Sequence, residues 1–257
     1  FWWMEYANID GIRMDTYPYA NYDAMSNWMK ELNEEYPNYN TVGETWVTEP
    51  AYTAWWQMDS KLSAPKNSNL KTVMDFSFFD KINIAKTEQT ETWFKGLDRV
   101  YNNFVYDFLY PNPASVLAFI ENHDTDRFLG EGDNLPMLKQ ASTLLLTPRR
   151  IPQLYYGTEI MMNGVKSKSD GYVRKDFPGG WTGDTETALT AAGRSKIQNE
   201  CYNFYKTLLN WRKGNDVIAK GSMVQFMVQN GVYAYARQHE GKTVFVMLNG
   251  TDAKTTV

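Results

Sequence analysis

Apolar and polar positions alternate in two different ways along this chain of 257 residues. Up to about residue 216, short apolar or β-rich runs are separated by stretches whose apolar residues recur at helical spacing. Five runs predict strands, at residues 10–14, 40–43, 72–76, 115–120 and 153–156. Strands that alternate with helices are typical of β/α units with a parallel sheet.

Four apolar stripes predict the helices between and after these strands. Their members are Met25, Trp28, Met29, Leu32 and Tyr36; Trp93, Phe94, Leu97, Val100, Tyr101 and Phe104; Leu138, Leu144 and Leu145; and Ile197, Cys201, Phe204, Tyr205, Leu208 and Leu209. The last helix is predicted to end at Lys213-Gly214-Asn215, where a basic turn precedes a glycine.

After residue 216 the spacing changes to period two. Residues 223–228, 232–237 and 243–248 read as strands, separated by Asn230-Gly231 and Glu240-Gly241 turns. We therefore predict two domains: the β/α part over residues 1–216 and the beginning of an all-β domain over residues 217–257.

Three acidic motifs stand where predicted strands pass into loops. They are Gly-Ile-Arg-Met-Asp at residues 11–15, Gly-Glu-Thr-Trp at 43–46 and Phe-Ile-Glu-Asn-His-Asp at 119–124. In a β/α barrel the carboxyl ends of all strands face one cleft, so acids distant in sequence become neighbours. Carboxylates, an arginine and a histidine in one cleft suggest cleavage of a glycosidic bond.

These segments resemble the second, third and fourth conserved regions of the α-amylase superfamily, glycoside hydrolase family 13. Residues 119–128, 151–161 and 174–181 are similar to the neopullulanase and cyclomaltodextrinase branch. The resemblance implies a (β/α)8 TIM barrel with its C-terminal five strands present, followed by the start of an antiparallel β-sandwich. Since the first three strands are lacking, and five parallel strands cannot close, we expect a fragment.

The resemblance assigns the catalytic roles to three acids. Asp15 is the expected nucleophile, kept ionised by Arg13 two residues earlier on the same strand face. Glu44 is the expected proton donor, and Asp124 is expected to bind sugar hydroxyls and distort the ring. An ordinary structural Arg–Asp pair and an ordinary loop glutamate are the alternatives for the first two.

Further residues are expected to contact the substrate. The resemblance implies that Arg13, His123, Trp46 and Tyr19 line the sugar site, with Pro18 and Tyr19 in place of the Lys-His pair of many amylases. Arg127 is expected either to pair with Asp126 or to reach the substrate. Trp181 is expected to stack on a sugar or to pack in the core, and Glu159 to line the cleft or to be structural.

The bulk composition excludes several other classes of protein. A formal net charge of −4 gives no case for nucleic-acid binding, and a single cysteine excludes an intrachain disulfide. The sequence has no apolar run of the ~20 residues that a membrane span needs. No His/Cys cluster has metal-ligand spacing, so we assign no cofactor here, although the resemblance leaves calcium open in the lacking region.

The expected function is that of a retaining glycoside hydrolase acting on α-1,4 bonds of starch-derived glucans: maltooligosaccharides, cyclodextrins or pullulan. Transfer to a sugar instead of water stays open, as do the oligomeric state and the exact substrate. The alternatives are a non-catalytic glucan-binding protein and a fragment that is inactive without its N-terminal half. The resemblance favours a secreted or periplasmic location.

Overall fold

The structure, a computed structural model, describes residues 1–88 and 93–255. The chain forms two compact units, residues 1–118 and residues 119–257. The predicted boundary near residue 216 lies inside the second unit and stays a prediction.

The first unit contains four parallel strands whose spatial order follows the chain. They are β1 (Gly11–Met14), β2 (Asn40–Gly43), β3 (Thr72–Met74) and β4 (Val116–Ala118). The register places Arg13 beside Val42, and Met14 beside Gly43. The residues that follow β1 and β2 therefore emerge side by side at one edge of the sheet.

Helices connect these strands and supply the core of the first unit. The α-helices are α1 (Trp2–Ala7), α2 (Tyr22–Glu35), α3 (Pro50–Trp55), α4 (Phe76–Ala85) and α5 (Leu97–Val105), and Tyr17–Tyr19, Tyr106–Leu109 and Pro113–Ser115 form 3-10 turns. Helix α2 begins where the Asn21 side chain accepts a hydrogen bond from the Ala24 amide. Its buried face, Met29 and Leu32, packs in the core with Val73 and Val116.

The second unit begins with short elements and continues into a long helix. It contains β5 (Ile151–Pro152), α6 (Leu135–Leu146), α7 (Asp170–Val173), α8 (Lys196–Lys213) and α9 (Asp216–Lys220), with a 3-10 turn at Thr158–Ile160. A capping box of Ser195 and Gln198 opens α8, and Gly214 closes it. The predicted end of this helix is confirmed.

Three antiparallel strands complete the second unit: β6 (Ser222–Gln229), β7 (Val232–His239) and β8 (Lys242–Asn249). Both connecting turns place two residues at positive φ, as two-residue hairpins with the right twist require. Tyr233 and Tyr235 are fully buried on one face of this sheet, and the Tyr235 hydroxyl contacts the Thr147 hydroxyl after α6.

The fold class is confirmed: five strands with intervening helices form the C-terminal part of a β/α barrel, and the antiparallel sheet follows. Several predicted elements have different limits. The strand predicted over residues 115–120 spans only Val116–Ala118. β3 stops at Met74 because the next residue, Asp75, caps α4 by accepting from the Phe78 amide at 2.9 Å. Residues 153–156 are not a strand, since the carbonyls of Tyr155 and Tyr156 accept from the Thr158 and Arg127 side chains.

The stripe that begins at Trp93 is interrupted. Trp93 and Phe94 lie before α5 and are exposed, because Gly96 at φ 55° forms the N-cap and the helix starts at Leu97. Within the described ranges 1–88 and 93–255, no helix is long and apolar enough to cross a membrane.

Candidate active site

Two of the predicted catalytic acids share one arginine at the end of the first unit's sheet. Arg13 on β1 directs one terminal nitrogen, Nη1, to Asp15 Oδ1 and the other, Nη2, to Glu44 Oε1, the latter at 2.6 Å. The shared contact follows from the parallel register, because Met14 pairs with Gly43 and both acids leave their strands together. Side chains predicted to meet from separate motifs therefore do meet.

The Glu44 carboxylate is held on both oxygens. Oε2 accepts a hydrogen bond from the Thr16 amide at 2.8 Å, while the Glu44 amide donates to the Met14 carbonyl at 2.8 Å. Thr16 adopts φ 48°, an uncommon conformation for a β-branched residue, and so turns its N–H toward the glutamate.

The two acids differ in their access to solvent. The Asp15 side chain is 66% exposed, whereas the Glu44 side chain is 3% exposed. An open carboxylate beside a buried one provides one group that can approach a ligand and one that is shielded from water. Such a difference of environment is how paired carboxylates take different roles in acid–base chemistry.

Two aromatic residues predicted to contact sugar lie near these acids in sequence and are exposed. Trp46, two residues beyond Glu44, stacks against buried Phe76 with ring centroids 4.6 Å apart and keeps 39% of its surface accessible. Tyr19 ends the 3-10 turn after β1 and is open to solvent. Their roles as sugar platforms stay predictions.

The third acid belongs to a separate cluster in the second unit. Asp124 Oδ2 lies 2.9 Å from His123 Nε2, and Asp124 Oδ1 lies 2.9 Å from Arg174 Nη2. Arg174 Nε also donates to the His123 carbonyl at 2.8 Å. The Asp124 amide donates to Asn122 Oδ1, which closes a tight turn in the loop.

Arg127 does neither of the two things expected from its sequence position. Its side chain is 0% exposed, and Nη1 lies 3.4 Å from Glu121 Oε1 rather than on Asp126. The guanidinium lies over the Tyr155 ring and donates to the Tyr156 and Val173 carbonyls. A buried guanidinium needs acceptors, and Glu121 and the two carbonyls supply them to Nε and Nη1, which keeps Arg127 away from Asp126 and from solvent.

Glu121 completes this buried pair. It accepts hydrogen bonds from the Phe128 amide and the Thr158 hydroxyl as well as from Arg127. Burial raises the pKa of Glu121, and these three donors oppose that rise. The pair fastens both ends of the loop that carries His123 and Asp124.

The remaining sequence candidates lie in the second unit. Trp181 is 68% exposed, so the core-packing alternative is wrong, and its amide donates to Asp184 Oδ2 at 3.1 Å. Glu159 is half-buried in the 3-10 turn at Thr158–Ile160. Sugar contact by Trp181 stays a prediction, and so does the role of Glu159.

Sequence reasoning did not single out Thr16, Glu121 or Arg174. Arg174 stands in a segment quoted only for its resemblance, and its partners lie 50 and 51 residues earlier. The Glu121 acid was visible inside the third motif, but burial decides its role and a motif does not report burial. Over the ranges that the structure describes, no group of three or more His, Cys, Asp or Glu residues is arranged to hold a metal.

Comparison with known proteins decides the family. Residues 1–179 match the family model described as the α-amylase catalytic domain. The chain belongs to the α-amylase family. Residues 223–257 match the model of the cyclomaltodextrinase C-terminal domain, in agreement with the resemblance of the central motifs to that branch.

Two relatives in the α-amylase family align with nearly the whole of this chain. An α-amylase of Niallia circulans is 30% identical over 96% of the chain and 41% of its own length. A cyclomaltodextrin glucanotransferase of Thermoanaerobacterium thermosulfurigenes is 30% identical over 96% of the chain and 31% of its own length. The chain thus spans well under half the length of these relatives.

A solved structure supports the fold independently. The α-amylase of Geobacillus thermoleovorans, solved in complex with acarbose, aligns with 97% of this chain and 50% of its own with a TM-score of 0.75 at 22% identity. At that identity the likeness establishes the fold of this α-amylase family chain.

Proposed function

We propose that this chain supplies the catalytic acids of a retaining glycoside hydrolase that cleaves α-1,4-glucosidic bonds of starch-derived glucans. Asp15 is the nucleophile and Glu44 the acid and base. The observation that carries the proposal is the Arg13 bridge between the two carboxylates. Family membership supports the same chemistry.

The separation of the acids suits the double-displacement route. Neighbouring parallel strands lie ~4.8 Å apart, and Asp15 and Glu44 follow neighbouring strands in register. Retaining enzymes need the two carboxyl groups roughly 5–5.5 Å apart, whereas inverting enzymes leave a wider gap for water. One guanidinium that binds both carboxylates supports the narrower spacing.

The proposed reaction has two steps. The Asp15 carboxylate attacks the anomeric carbon while Glu44 gives its proton to the departing glycosidic oxygen, so that a glycosyl ester forms on Asp15. Glu44 then takes a proton from water, whose oxygen attacks the same carbon and releases Asp15. A sugar hydroxyl in place of this water gives transglycosylation.

The proton of Glu44 is expected on one of the two carboxylate oxygens rather than on the other. Arg13 carries a full charge, and charge-assisted hydrogen bonds are stronger than those from a neutral amide. Protonation is therefore expected on Oε2, where it displaces only the contact with the Thr16 amide. Oε1 stays bound to Arg13.

Other residues are proposed to bind the sugar rather than to react with it. Asp124 and His123 contact hydroxyl groups, and Trp46, Tyr19 and Trp181 offer flat apolar surfaces to sugar rings. All five are at least partly accessible. Arg127 is left out of this set because it is buried.

The substrate class is proposed from the relatives. One is an α-amylase and another a cyclomaltodextrin glucanotransferase, and the C-terminal strands match the cyclomaltodextrinase domain. Together with the resemblance of the central motifs to the neopullulanase and cyclomaltodextrinase branch, these relatives lead us to propose maltooligosaccharides, cyclodextrins and pullulan as substrates. The secreted or periplasmic location, the oligomeric state and a calcium requirement remain predictions from the resemblance.

The test is turnover by the natural protein that contains these residues. Glu44→Gln is expected to lower kcat on maltooligosaccharides by at least about 100-fold, the contribution typical of a positioned acid or base. Asp15→Asn removes the nucleophile and is expected to lower kcat by at least as much. Asp10→Asn is the matched control, because Asp10 is an exposed acid just before the other end of β1. Activity within a few-fold of the parent in either site variant contradicts the assignment.

A further inference from the structure

We infer that Arg174 is a positioning residue that fixes the orientation of Asp124 and His123. The inference rests on the proposed function, in which these two side chains bind the sugar. Within the part of the chain that the structure describes, the Arg174 side chain makes three hydrogen bonds: with the His123 carbonyl at 2.8 Å, with Asp124 Oδ1 at 2.9 Å and with Asp170 Oδ2 at 3.3 Å.

These contacts combine a backbone and a side-chain anchor. The planar guanidinium binds the main chain of His123 through Nε and the carboxylate of Asp124 through Nη2, a fork that a lysine ammonium does not reproduce. The other Asp124 oxygen lies on His123 Nε2 at 2.9 Å. The carboxylate is therefore held from both sides.

The backbone at Arg174 is held by two hydrogen bonds. The carbonyl of the preceding residue, Val173, accepts a hydrogen bond from buried Arg127 Nε at 3.0 Å, and Val173 is buried. The Arg174 amide caps α7 by donating to the Gly171 carbonyl. An anchored backbone distinguishes this arginine from a surface arginine that samples many rotamers.

A pre-oriented carboxylate matters most in the transition state. If Asp124 is already aimed when the sugar arrives, no ordering cost is added during reaction, and a misplacement of about 1 Å costs on the order of 100-fold in rate. Loss of Arg174 is thus expected to act mainly on kcat. A residue that bound substrate directly and equally in ground and transition states would act mainly on KM.

Arg174→Met in the natural protein that contains this chain is the test, with Lys166→Met as the matched control. Lys166 also pairs with Asp170, at 3.1 Å, but its side chain makes no contact with His123 or Asp124 among the described residues. We expect Arg174→Met to lower kcat on maltooligosaccharides about 10- to 100-fold with KM changed less than about threefold. The Lys166→Met variant should stay within about twofold of the parent in both parameters.

Two further measurements separate positioning from other roles. In an Asp124→Asn background, the loss caused by Arg174→Met should shrink to less than about threefold, because coupled residues are not additive. Amide hydrogen exchange over residues 122–126 should accelerate in Arg174→Met and not in Lys166→Met. This second measurement needs no turnover.

The outcomes are distinguishable from failure of the proposed function. A parent that hydrolyses no glucan overturns the function, while faster exchange in Arg174→Met alone still supports the positioning contact. A raised KM with unchanged kcat, full additivity with Asp124→Asn, or unchanged exchange overturns the inference about Arg174. Thermal unfolding near that of the parent checks that the variant is folded.

Discussion

Arg13 joins two acids that the fold exposes to very different degrees. Its two terminal nitrogens bind Asp15, which is open to solvent, and Glu44, which is buried. A single charged residue thus sets the orientation of both carboxylates, because a planar fork holds each by a separate nitrogen. The proposed chemistry therefore depends on two contacts, that of Arg13 Nη1 with Asp15 and that of Arg13 Nη2 with Glu44.

Gly43 shows how closely the residue before Glu44 is packed. A Cβ at this position would lie 2.5 Å from Leu70 Cδ2 and 3.2 Å from Tyr17 Cγ. Gly43→Ala is therefore expected to lower the free energy of unfolding by about 1–3 kcal/mol, since overpacking forces neighbours to shift. Urea unfolding of the natural protein that contains the chain measures this change.

The control for this substitution is Gly171→Ala on α7. There a Cβ would meet only Ser169 Oγ, at 3.8 Å, an ordinary contact. Alanine should be neutral or stabilising by up to about 1 kcal/mol, because glycine is unfavourable in a helix. Equal effects of the two substitutions would show that crowding at Gly43 is not the cause.

The two hairpin turns of β6–β8 place different residues in the same left-handed conformation. Asn230 and Glu240 both lie at the first turn position, with φ 49° and φ 47°, and each is followed by a glycine. Asparagine tolerates this left-handed conformation better than glutamate does. The Glu240-Gly241 turn is therefore the less favourable of the two.

Exchanging the turn residues tests this difference. We expect Glu240→Asn to raise the free energy of unfolding by about 0.5 kcal/mol, and Asn230→Glu to lower it by a similar amount. Chemical denaturation of both variants beside the parent provides the comparison. A stability loss in Glu240→Asn would indicate that the contact between Glu240 Oε1 and His239 Nε2, at 3.8 Å, stabilises the fold by more than the strained backbone of Glu240 destabilises it.

At the scale of elements, the sequence predicts what depends on local chemistry. The β1 and β2 runs and the Asn-Gly turn are recognised because periodicity and turn residues lie within a few positions of each other. Residues 153–156 are misassigned because side chains from elsewhere in the chain bind their carbonyls. Trp93 looks helical by spacing, but Gly96 sets the start of α5.

The candidate site likewise contains features that the sequence predicts and features that depend on the folded structure. The meeting of Asp15 and Glu44 is predictable because the ends of neighbouring parallel strands bring acids to one edge of a sheet. The partners of Arg174 are not, since they lie about 50 positions away and depend on how a loop folds back. The burial of Arg127 beside Glu121 follows from packing, which residue order alone does not report.

At the scale of the whole molecule, Cys201 provides a single internal probe. It lies on α8, is fully buried, and its Sγ donates to the Thr158 carbonyl at 3.7 Å. Burial raises the pKa of the Cys201 thiol to about 12. Because only the thiolate reacts with alkylating reagents, the folded protein should protect this residue.

Iodoacetamide labelling followed by peptide mapping tests this protection. At pH 8 the Cys201 peptide should stay unmodified in the folded protein for hours and be modified within minutes in urea. The raised pKa of Cys201 also stabilises the folded protein against unfolding. This stabilisation is complete below a pH of about 8.5, the pKa of the thiol in the unfolded chain, and it is lost as the pH rises toward 12. Rapid labelling of the folded protein would contradict the packing of α8.

The proposed mechanism requires a glycosyl ester on Asp15. The direct measurement is mass spectrometry of Glu44→Gln, in the natural protein that contains this chain, after reaction with α-maltosyl fluoride. Fluoride leaves without a proton donor, so the first step proceeds, while loss of the base slows hydrolysis of the ester. We expect a glycosyl mass increase on the peptide that contains Asp15, and none in the Asp15→Asn, Glu44→Gln double variant. Fluoride release without an adduct, or an adduct on another residue, would contradict the proposed mechanism.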